Sequence, residues 1–147
     1  MIQRNAIRSW TLLPDVEVIL LGEEEGLAEA AKDLGVKHIP HVARNESGTP
    51  LISSMFQLAR ENSHSELLCI INADMILMPD FVEAAKQAVN LKNKFVLLSQ
   101  RWDLDITSPL DFSGDWPHGL RSTVNGQGQL HRPAGSDFFL FPKKSYQ

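Results

Sequence analysis

Three polar clusters in this 147-residue chain carry groups able to do chemistry. The first is Asn72-Ala73-Asp74, which comes directly after the apolar run Leu67-Leu68-Cys69-Ile70-Ile71. That run reads as a buried strand, and in an open parallel sheet ligands bind beyond the carboxyl ends of the strands. A carboxylate at Asp74 is therefore placed to hold a hard divalent cation, which in turn neutralises a diphosphate. The competing reading is structural: Asp74 caps a turn and Asn72 bonds the local backbone. The second cluster is the loop Arg44-Asn45-Glu46-Ser47-Gly48-Thr49. Arg44 suits a phosphate, and a helix opening at Thr49-Pro50 offers free N–H groups. The same loop is also what an ordinary βα connection looks like, with Thr49 as N-cap and Pro50 at N1. The third joins Arg101-Trp102-Asp103 to Gly135-Ser136-Asp137, with Trp102 and Trp116 offering faces for a sugar ring or a base, or for the core.

Other chemistries are excluded by what the chain lacks. No CxxC, P-loop, G-x-S-x-G or G-x-G-x-x-G pattern occurs. His38 and His41 are three apart in a predicted strand and face opposite sides, so they cannot share a metal; His64, His118 and His131 are scattered. Fourteen Lys and Arg against 18 Asp and Glu give a net charge of −4, which argues against a nucleic-acid surface. The lone Cys69 excludes an internal disulfide framework. The longest apolar stretches fall far short of the roughly 20 residues that span a bilayer, and Met1 to Asn5 carries no apolar signal core. A soluble, cytoplasmic protein is expected.

The elements that must position these clusters alternate along the chain. Ile2, Ala6, Ile7, Trp10 and Leu13 recur at helical spacing, with Gln3, Arg4, Asn5 and Arg8 on other faces. Pro14-Asp15 breaks that helix, and Val16–Leu21 reads as a strand ended by Gly22. Leu27, Ala30, Ala31 and Leu34 supply the buried face of a second helix, after Glu23, Glu24 and Glu25 and before a stop at Gly35. A strand over Val36–Val42, a helix from Pro50, the strand Leu67–Ile71, a helix from Pro79 and a strand over Phe95–Leu98 complete the series. This rhythm predicts an α/β fold with a mainly parallel central sheet and helices on both faces. Residues 101–136 break the rhythm, with a hairpin expected around Asn125-Gly126-Gln127-Gly128, before a last strand at Asp137–Phe141.

Taken together, Gln3-Arg4-Asn5-Ala6-Ile7-Arg8-Ser9-Trp10, the strand ending Leu20-Leu21-Gly22, Gly48-Thr49-Pro50, Asn72-Ala73-Asp74 and Gly135-Ser136-Asp137-Phe138-Phe139 resemble the nucleotide-diphospho-sugar transferases, the GT-A fold glycosyltransferases of the family 2-like type. The resemblance implies one domain over 1–147, with residues 1–100 binding a nucleotide-sugar and 101–147 forming the acceptor side. It implies transfer of a sugar from a nucleotide-diphospho-sugar to an acceptor hydroxyl, assisted by a divalent cation, Mn2+ or Mg2+, at Asp74. In the family's acidic D-x-D motif the last Asp binds the metal, matched here by Asp74. Neutral Asn72 stands where the family has a carboxylate on the donor ribose or sugar, and an amide still hydrogen-bonds a hydroxyl.

Under that reading Arg44, Asn45, Thr49, Asn72 and Asp74 bind the donor, and Arg101, Trp102, Asp103 and Asp137 face the acceptor. Asp137 is the single acidic candidate for a catalytic group; the general base, and the choice between inversion and retention, stay open. Set beside the family, the chain begins in the helix after the first strand and stops before the region that carries the base in inverting members. It is expected to be a core trimmed at both ends that transfers sugar poorly on its own. Two alternatives fit the same residues: a non-catalytic binding or scaffold domain, and a metal-dependent nucleotidyltransferase.

Overall fold

A computed structural model describes residues 1–91, 93–133 and 137–145. Helix α1 (Ile2–Thr11) buries Ala6, Ile7 and Trp10 against Leu20 and Ala31. The same face buries Asn5 and Ser9, so Asn5 is not on an outer face as its polarity predicts; it is 4% exposed. The chain turns at Pro14-Asp15, where Asp15 takes φ 59°, and enters β1 (Ile19–Leu21). Helix α2 (Leu27–Leu34) is closed by Gly35 in the left-handed region at φ 66°, whose N–H bonds Lys32 O. It returns the chain to β2 (Lys37–Ile39), which lies parallel to β1 with Leu20 opposite His38.

Helix α3 (Ile52–Asn62) precedes β3 (Leu67–Ile71), which falls where its apolar run predicts. Helix α4 (Asp80–Leu91) comes next. β3 pairs antiparallel with β6 (Phe138–Pro142), Cys69 opposite Leu140. Alternate residues of this pair face opposite ways. Leu67, Cys69 and Ile71 share a core with Ala85, Phe138 and Leu140 toward α4, with Phe81 edge-on to Phe138. On the other face Phe141, opposite Leu68, stacks on Phe56 of α3 at 4.8 Å between centroids.

The expected mainly parallel central sheet is not formed. The described residues make three two-stranded sheets: parallel β1–β2, antiparallel β3–β6, and an antiparallel pair of β4 (Trp102–Asp103) with β5 (Gln129–Leu130). Two causes are visible. The last strand enters from the Asn72 end, where Asp137 O accepts the Asn72 N–H at 2.9 Å, so β6 runs against β3. The run Phe95–Leu98 does not become a strand: only Leu97 exchanges hydrogen bonds with Leu140, and Val96 and Leu98 are exposed.

Residues 101–130 carry more order than their composition suggests. β4 (Trp102–Asp103) pairs with β5 (Gln129–Leu130), and between them runs helix α5 (Trp116–Gln127), capped by Asp115 with a Pro in its first turn. The turn expected at Asn125–Gly128 is the end of this helix. Gly119 and Gly126 depress helix propensity and hide it from a reading by composition.

Candidate functional site

The segment Asn72–Met75 leaves β3 in a turn closed by the Met75 N–H on Asn72 O at 3.2 Å. Helix α1 fixes the far side of this turn. Trp10 Nε1 donates to Met75 O at 2.7 Å, and the fully buried Ser9 Oγ accepts the Leu77 N–H at 3.0 Å. Asn5, one helical turn earlier, clamps a second loop: its Nδ2 donates to Ser108 O at 3.1 Å and its Oδ1 accepts the Leu110 N–H at 3.0 Å. One face of α1 thus anchors both the turn that bears Asp74 and the start of the irregular region. Asp74 itself is exposed, and its carboxylate makes no side-chain bond among the described residues.

Three of the predicted residues, Arg101, Asp103 and Asp137, meet beside Asn72. Asn72 Nδ2 donates to Asp137 Oδ1 at 3.1 Å, and Arg101 Nη1 donates to Asp137 Oδ2 at 2.6 Å. Arg101 Nε reaches Asp103 Oδ1 at 2.7 Å, and Asp103 Oδ2 lies 2.7 Å from His131 Nδ1. The Arg101 fork thus spans two carboxylates. It holds the Asp103 carboxyl below the usual carboxylate range, with His131 adding to the effect, and the two carboxylates raise the guanidinium in turn. Asp137 is the most enclosed member, its side chain 13% exposed. Gly135 and Ser136, which precede it, lie outside the described residues.

His131 is a member that spacing does not reveal. It sits 28 residues from Asp103 and 30 from Arg101, and becomes a neighbour only because β5 lies against β4. The His131 N–H on Arg101 O at 2.9 Å continues that pairing. Asn5 and Ser9 did leave a signal, as polar residues four apart on an otherwise apolar helical stripe.

The loop after β2 is built differently from expectation. Thr49 is not a helix cap: α3 starts at Ile52, its N-cap is Leu51, and no side chain caps it. Instead Asn45 Oδ1 accepts the N–H groups of Ser47 and Thr49, and Asn45 exchanges backbone bonds with the same turn. Arg44 donates to Gly48 O at 2.8 Å and to Glu24 Oε1 at 2.7 Å, which lowers the Glu24 carboxyl. A phosphate reaching Arg44 competes with that carboxylate. Trp102 is half-exposed, whereas Trp116 packs edge-on against Phe112 at 5.0 Å.

Among the described residues no group of three or more His, Cys, Asp or Glu could hold a metal. A dedicated protein cage is therefore not what Asp74 offers. A lone carboxylate does fit Mg2+-type binding, in which one or two carboxylates and the substrate's phosphates share the ion. No helix among the described residues is long and apolar enough to cross a membrane. No family model, curated protein or solved structure matches the chain.

Proposed function

We propose that the polar rim beyond β3 binds a nucleotide-diphospho-sugar together with a divalent cation, Mn2+ or Mg2+, and delivers the sugar to an acceptor hydroxyl. The observation that carries this reading is Asp74: an exposed carboxylate at the carboxyl end of a strand, without a side-chain bond among the described residues, on a turn anchored from behind by Ser9 and Trp10. When bound, the cation supplies Lewis-acid stabilisation of the leaving diphosphate. Asp74 holds the charged end of the donor through it. Asn72 offers its amide oxygen to a donor hydroxyl, while its amide nitrogen is fixed by Asp137.

In transfer, the acceptor oxygen bonds the anomeric carbon as the bond to the diphosphate oxygen breaks, and the hydroxyl proton passes to a base. Asp137 is a poor choice for that base, because Asn72 and Arg101 occupy one oxygen each. Its part in this reading is to position Asn72. The same occupancy supports a second reading, a domain that binds the donor and does not turn it over. Thermal shift with Mn2+ and a panel of UDP- and GDP-sugars tests donor binding by mass action. Stabilisation that disappears in Asp74→Ala is expected; no response to any nucleotide removes the proposal.

A further inference from the structure

Between β1 and β3 lies an apolar cavity of about 840 Å³, the size of a ligand pocket and far beyond a packing defect. It touches every residue from Val16 to Leu21 and every residue from Ser65 to Ile71, so it runs along both strands. No residue of β2 and only Leu140 of β6 lines it. The cavity is thus on the side of each strand that faces away from its partner. Among the described residues β1 pairs only with β2, and β3 only with β6. Both walls therefore present unpaired main-chain N–H and C=O groups.

These walls specify an occupant. A fatty chain or a helix offers nothing to two rows of backbone donors and acceptors, whereas an extended peptide pairs with both, one on each side. Helix α4 lines the cavity through Phe81, Val82 and Ala85, and α3 through Met55 and Ala59. Those helices cover opposite faces of the β3–β6 pair. A strand between them is buried on both faces, and such strands are continuous apolar runs, not alternating ones. The charged lining residues are Asp15, Glu17 and Glu66 against Lys86 alone, so the segment's flanks are basic.

We propose that this slot is a strand-addition site. It takes an extended, uncharged, β-branched segment of about six residues, flanked by Lys or Arg, from polypeptide outside these 147 residues. The segment hydrogen-bonds β1 on one edge and β3 on the other, joining two separate sheets. Because main-chain bonds supply most of the recognition, a generic strand suffices as probe. The proposal is independent of the sugar-transfer reading.

The test uses a blocked peptide with Val-Ile-Val-Ile-Val-Thr between two pairs of Lys, and a copy N-methylated at alternate residues. Amide hydrogen exchange of the full chain is followed by NMR with each peptide and with myristate. The expected result is that amides of both β1 and β3 slow by roughly tenfold or more with the unmethylated peptide only. Equal protection by the N-methylated copy or by myristate identifies a simple apolar pocket and overturns the proposal. So does protection of neither strand, or of one alone. A free protein that sediments as a dimer with both strands already protected also overturns it, since a second copy then fills the slot.

Discussion

Arg101 Nη1 lies 2.6 Å from Asp137 Oδ2, a contact spanning 36 residues that ties the β4–β5 pair to the start of β6. Through the other oxygen of Asp137 the tie reaches Asn72, two residues before Asp74. Arg101 is consequently the hub from which Asp103 and Asp137 are held against the end of β3.

Replacing that hub separates the cluster. Arg101→Lys keeps a charge but cannot span two carboxylates with a planar fork. The expected outcome is faster amide exchange at Trp102 and Leu130, a shifted Asn72 side-chain amide signal, and unchanged exchange in β1 and β2. NMR of the variant checks this; an unmoved Asn72 amide contradicts the coupling.

Helix α1 acts as the anchor of two loops, and its polar residues are the means. Asn5→Ala takes the side-chain partner from Ser108 O and the Leu110 N–H, groups on a partly exposed loop, which is expected to cost about 1 kcal/mol in urea denaturation. Trp10→Phe removes the bond to Met75 O together with part of a buried ring, at about 2 kcal/mol. Of the two, only Trp10→Phe is expected to weaken nucleotide binding, because only it loosens the Asp74 turn.

Acid acts on the cluster through Asp103. Its folded carboxyl lies below its ordinary value of 3.8, so its stabilisation is present above that value and is lost as pH falls through the lowered one. Asp103→Asn is therefore expected to be less stable than the parent at neutral pH and equally stable once Asp103 is protonated. Urea denaturation at the two pH values reads the difference; a gap that persists in acid contradicts the assignment.

Cys69 reports on the interior. Burial pushes its thiol up to about 12 from 9.0, so thiolate is scarce and alkylation at pH 8 should be roughly a thousandfold slower than for an unperturbed thiol. Urea should restore the ordinary rate. Rapid labelling of the native chain by iodoacetamide contradicts this.

The elements legible in the sequence are those set by local rules. The apolar run at Leu67–Ile71, the Gly35 stop and the stripe of α1 each gave their element directly. The parallel sheet did not form, because strand direction depends on where the chain re-enters, and Asp137 returns at the Asn72 end. Thr49 failed as a cap because Asn45 holds it in the preceding turn and the helix begins later, at Ile52. Arg101, Asp103 and Asp137 were legible as one polar group, but the bonds among them were not. Their union with His131 depends on the β4–β5 register and has no expression in sequence spacing.

In the proposed function, Asp74 shares a cation with a donor diphosphate. Isothermal titration of the full chain with UDP- and GDP-sugars, with and without Mn2+, decides this. Saturable binding of one nucleotide class is expected, requiring Mn2+ and reduced at least tenfold in Asp74→Asn, a loss of about 1.4 kcal/mol. Binding that is indifferent to Mn2+ and to Asp74, or absent for every nucleotide-sugar, contradicts it.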